Sequence, residues 1–123
     1  MRIWNDRIVL PDGTVVMPEQ VNRIDLMTHN DNAAILVGDQ WLSLNGARID
    51  RCTFLPDSKG VTAFENDRVY DNANVLRGGT IVFSGGSFGI KWDNLKSESP
   101  IQSVKYCTIT GMVPYSAEAG NAR

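Results

Sequence analysis

Turn-forming residues interrupt this chain at intervals of about 8–12 residues, and the runs between them are rich in β-branched and aromatic side chains. Pro11-Asp12-Gly13 separates Ile8-Val9-Leu10 from Thr14-Val15-Val16-Met17. Proline presets φ, aspartate caps its own backbone and glycine accepts a positive φ, so this segment predicts a hairpin. Asn45-Gly46, Pro56–Gly60, Asp71–Asn74 and Ser84-Gly85-Gly86-Ser87 punctuate the rest. A further turn is expected at His29–Asn32. Helix signals are nearly absent; a proline entry and Glu19 support one short turn over Pro18–Arg23.

The pattern predicts strands at Ala34–Val37, Trp41–Leu44, Arg48–Leu55, Arg68–Tyr70, Thr80–Phe83, Phe88–Trp92 and Val104–Thr110. Phe88, Ile90 and Trp92 alternate with Gly89 and Lys91, so the first three should share the core face. Asn94–Pro100 is polar and is expected to be an exposed loop. The fold class that follows is all-β: a small antiparallel β-barrel or sandwich built of SH3-like hairpins. Residues 1–115 form the β domain and 116–123 a flexible tail. The domain has two echoing halves, 1–57 and 61–115. Asn5-Asp6-Arg7-Ile8 recurs as Asn66-Asp67-Arg68-Val69, and Cys52-Thr53-Phe54 as Cys107-Thr108-Ile109.

In the second half, Glu65-Asn66-Asp67-Arg68-Val69 precedes Gly79-Thr80-Ile81-Val82-Phe83-Ser84-Gly85-Gly86-Ser87-Phe88-Gly89-Ile90. This segment resembles the YopX-like phage and prophage proteins, whose pattern joins a Gly-Val-Val-x-Phe hairpin to a Phe-Gly-[Ile/Leu] return. The opening Met1-Arg2-Ile3-Trp4-Asn5 is similar to the family's Arg-x-Trp-Asp. Asn66 stands where the family has a glycine, and its Asp-Lys-Asn-Gly-Lys run is missing. The resemblance implies a small β-barrel of phage or mobile-element origin and transfers no functional residues.

A chain of 123 residues with 42% hydrophobic and 21% charged residues is globular and long enough to need neither disulfides nor a metal to fold. A net charge of −2 argues against a dedicated duplex-DNA binder, which needs a positive field. No run approaches the roughly 20 apolar residues of a membrane span. No secretory signal is present, so the expected location is cytoplasmic, in a host cell or virion. Cys52 and Cys107 read as buried free thiols, with a single bridge as the alternative.

No catalytic constellation, metal-ligand spacing or phosphate loop is present, and no cofactor is implied. The one histidine, His29, lies in a polar turn with Asp31, too few ligands for zinc. Arginines outnumber lysines eight to four. Guanidinium forks suit anions, and exposed aromatics suit partner surfaces or bases. The candidate binding residues are therefore Arg7, Arg48, Arg51, Arg68, Arg77, Trp41 and Trp92. The functional expectation is a non-enzymatic binding or assembly protein that meets a protein partner or its own copies. The alternative is a β-barrel that binds a small ligand such as a nucleotide, or single-stranded nucleic acid, through those residues.

Overall fold

The computed structural model describes residues 3–25 and 33–116. The expected turn at His29–Asn32 and the tail beyond Ser116 lie outside these residues. The protein is all-β, with antiparallel pairing throughout, and its sheets stay open. Of the expected barrel or sandwich, the closed barrel is not formed among the described residues: each sheet has two edge strands and none closes on itself. The chain divides into two compact units, Met1–Asp50 with Pro114–Arg123, and Arg51–Val113.

In the first unit, β1 (Arg7–Val9) lies between β2 (Val15–Val16) and β6 (Arg48–Asp50). The expected hairpin forms around Pro11-Asp12-Gly13, with Asp12 accepting a 2.9 Å bond from the Thr14 amide. A 3-10 turn over Pro18–Gln20 leads into β3 (Val21–Asp25), so the helical turn ends earlier than Arg23. β3 pairs with β4 (Ala34–Val37), which pairs with β5 (Gln40–Ser43). Ile8, Leu10, Val16, Val21 and Ile35 form the apolar core.

Charge fills the other face of β1. Directly paired residues share a face, and the register sets Arg7 opposite Asp50 and Val9 opposite Arg48. Arg7 Nε and Nη2 donate to Asp50 at 2.9 and 2.7 Å, and Arg48 Nε and Nη2 donate at 2.9 and 3.1 Å. Arg48 Nη1 also donates to the Pro114 carbonyl at 3.0 Å, which ties the returning C-terminal segment to this unit.

In the second unit, Arg51 breaks the expected 48–55 strand. β7 (Cys52–Pro56) starts after it and pairs with β8 (Thr62–Phe64). β9 (Asp67–Asp71), β10 (Asn74–Ser84) and β11 (Ser87–Trp92) follow as a meander. Gly85 and Gly86 both take positive φ at the β10–β11 turn, as a two-residue hairpin turn demands. Two expectations change here. Glu98–Pro100 is not loop but a short edge strand, β12, on β11. Ile101–Tyr106 is a 3-10 helix, and the last strand, β13 (Cys107–Met112), begins only at the cysteine. β13 pairs with β9, completing the order β12-β11-β10-β9-β13.

Ile90 and Trp92 are buried with Val69, Ile81, Val104 and Cys107, and Phe88 packs against them, as the alternation predicts. Asp57 is also buried and accepts from the Lys59, Val61 and Ile109 amides at 2.8, 2.9 and 3.0 Å. Burial pushes its carboxyl upward, but the three amides outweigh it and hold the group below the ordinary aspartate value. The two units do not repeat one topology. Among the described residues, the first has two three-stranded sheets; the second has one sheet of five strands and one of two.

Gly79 sits where β10 crosses the Trp92 ring. A Cβ there would stand 2.8 Å from the indole and 3.0 Å from the Lys91 carbonyl. Gly79→Ala is expected to cost about 1–3 kcal/mol in urea unfolding. Gly111→Ala, where nothing lies within 4 Å, should be close to neutral.

Candidate functional site: the β10 bulge and the Arg77–Trp92 pocket

The ladder between β9 and β10 is irregular. Asn74 pairs with Asp71 and Gly78 with Tyr70, so four steps along β10 match one step along β9. Val75, Leu76 and Arg77 are the three extra residues. Bulges re-aim side chains and end pairing locally. Here the bulge sends Val75 and Leu76 outward, 67% and 93% exposed. It sends Arg77 inward, with its guanidinium 4.2 Å from the centre of the Trp92 ring.

Around that stack lies a pocket of about 310 Å³, lined by Asp71, Ala73, Arg77, Trp92, Ser99, Ser103, Tyr106 and Cys107. Trp92 Nε1 donates to Ser99 Oγ at 2.8 Å, which fixes the indole edge and leaves the serine hydroxyl hydrogen free to donate elsewhere. Asp71 Oδ1 accepts from the Ala73 amide at 2.9 Å, and Oδ2 stands 3.7 Å from Arg77 Nη1. That separation gives Coulomb attraction without a hydrogen bond. Arg77 Nε is buried and has no hydrogen-bond partner. An orphaned buried donor costs about 1–3 kcal/mol. Among the ion-paired arginines, Arg77 is thus the least satisfied.

The other candidate residues divide sharply. Arg7 and Arg48 are 6% and 2% exposed and serve Asp50, so they are not the surface anion contacts expected of them. Arg68 forks onto both oxygens of Asp93 and reaches Thr80 Oγ1 at 2.6 Å. That fork holds the Asp93 carboxyl below its ordinary value. Arg51 lies 4.4 Å from the Phe83 ring centre and 3.4 Å from Glu65. Trp41 is half exposed on β5, in the first unit. Of the seven candidates, Arg7 and Arg48 converge on Asp50 in the interior, and Arg77 and Trp92 meet at a pocket. Trp92 is not a surface ring; it is buried, with one face taken by Arg77.

Sequence reading missed Asp71, Ser99, Ser103, Tyr106 and Cys107 as neighbours of this pair. One signal was available: Ile101 and Val104 follow Pro100 at a spacing of three, and both are buried, as the eclipsed faces of a 3-10 helix allow. The bulge has no comparable signature. His29 and Asp31 lie outside the described residues. Among the described residues no three His, Cys, Asp or Glu side chains converge on a metal-sized site.

Both cysteines are buried and unbridged. Burial pushes the Cys107 thiol up, and Asp71 pushes it the same way against a smaller pull from Arg77, with Asp57 adding least. A raised thiol is a poor nucleophile. A disulfide exchange reagent at neutral pH is therefore expected to label the folded protein at least about tenfold more slowly than the urea-unfolded chain.

No helix of the described residues is long and apolar enough to cross a membrane. No protein-family model, curated protein or solved structure matches the chain.

Proposed function

We propose that this chain is a non-enzymatic binding protein that works through protein–protein contacts, with a host factor or with its own copies, and is of phage or mobile-element origin. The observation that carries the reading is the bulge tip. Val75 and Leu76 are adjacent apolar side chains held clear of the sheet, one of them almost wholly exposed. Burying each against a partner contributes about 1.5–3 kcal/mol. A pair of that kind is a compact anchor of the sort that dominates interfaces. Phe54 supports the same reading. It is 70% exposed and holds φ at 60°, a conformation that a bulky side chain adopts only under local constraint.

The small-ligand or nucleic-acid reading keeps fewer residues. Its arginine set loses Arg7 and Arg48 to the interior, and what remains in its favour is the Arg77–Trp92 stack.

Size-exclusion chromatography with light scattering, alongside capture from host lysate, tests the proposal. The native chain should self-associate or retain a partner. A Val75→Ser, Leu76→Ser variant should lose that association and melt at an unchanged temperature, because both side chains are already in water. A native chain that stays strictly monomeric and retains nothing would overturn it.

A further inference from the structure

We infer that the Arg77–Trp92 pocket is a carboxylate-binding site. The inference rests on the pocket and not on the bulge tip, so it stands or falls apart from the interface reading. Three observations carry it. First, the guanidinium is oriented before any ligand arrives: the indole fixes its plane from one side, 4.2 Å away, and Asp71 fixes its Nη1 end at 3.7 Å. Preorganisation of this kind lowers the ordering cost of binding. Second, among the described residues the guanidinium has only the 3.7 Å ion pair with Asp71 and makes no hydrogen bond. Nε has no partner, and Asp71 Oδ1 is committed to the turn through the Ala73 amide. Nε itself is sealed from solvent, so the guanidinium meets a carboxylate through its terminal nitrogens, whose N–H groups match the two oxygens. The side chain is 35% exposed and lines the pocket. Third, the remaining walls suit a small organic acid. The Ser99 hydroxyl retains its donor, and Trp92 and Tyr106 supply apolar surface. A pocket of about 310 Å³ is at the small end of ligand sites.

Asp71 makes the inference specific. Its negative charge opposes a second anion near Arg77, and more strongly a dianionic phosphate than a monovalent carboxylate. Removing that charge without changing the side chain's shape should strengthen carboxylate binding. A purely structural Arg77–Asp71 pair would show no such gain.

The test uses the full chain, labelled with nitrogen-15, and follows the Trp92 indole and Arg77 Nε resonances during titration at constant ionic strength. The probes are acetate, succinate, a blocked Gly-Glu-Gly peptide and inorganic phosphate. Acetate should move both resonances saturably, and Asp71→Asn should tighten it. Arg77→Lys keeps the charge but loses the fork and should weaken acetate at least about tenfold. Arg77→Gln should abolish the saturable response. Tighter binding of succinate identifies the source as a free small acid; tighter binding of the peptide identifies it as the acidic side chain of a protein. Phosphate binding tighter than every carboxylate, an equal response in Arg77→Gln, or no saturable response would overturn the assignment. If Arg77→Gln does not fold, Arg77→Lys and Asp71→Asn still decide the matter.

Discussion

A carboxylate buried in a small β unit must be surrounded by cations or amide donors, because its desolvation is otherwise prohibitive. Asp50 is wholly buried and meets that requirement with Arg7 and Arg48. Much else in the first unit follows from this. The antiparallel register of β1 and β6 is the one that sets Arg7 across from Asp50, and a slip of one residue would turn the charges into the apolar core. Arg48 carries the constraint onward to the Pro114 carbonyl, so a segment distant in sequence returns to the same unit. In the second unit Asp57 plays a comparable part with amides, gathering the β7–β8 turn and β13 around one side chain.

This demand for counter-charge decides which arginines remain available for function. Sequence marks five of them alike. The fold commits Arg7 and Arg48 to Asp50, Arg68 to Asp93, and Arg51 to Glu65 and a phenyl ring. Arg77 has only a 3.7 Å ion pair with Asp71, and it lies on a three-residue bulge, where the ladder no longer dictates its direction. The same bulge exposes Val75 and Leu76. One local irregularity thus produces the apolar anchor of the proposed interface and the open guanidinium of the proposed carboxylate pocket.

The all-β class, the hairpins at Asp12-Gly13 and Gly85-Gly86, and the core face of β11 were legible because turn chemistry and alternation are local. What the sequence did not reveal is non-local. Nothing in Arg48-Ile49-Asp50 distinguishes a buried ion cluster from an exposed alternating strand; the difference lies in the pairing with β1. The choice between barrel and sandwich was not legible for a related reason: strand spacing says how many hairpins form, and closure depends on edge partners far apart in sequence. Glu98–Pro100 reads as loop by composition, yet the ladder of β11 recruits it. The pocket was half legible. Arg77 and Trp92 stood out as residue types, but a bulge and a 3-10 helix brought them their neighbours.

The central claim is that charge at Arg7, Arg48 and Asp50 holds the first unit together and does not face a ligand. Equilibrium urea unfolding of Asp50→Asn tests it most directly. The substitution preserves shape and removes the charge that both guanidinium groups require, and it should cost about 3–5 kcal/mol. A loss within about 0.5 kcal/mol, the range of an ordinary surface substitution, would contradict the account.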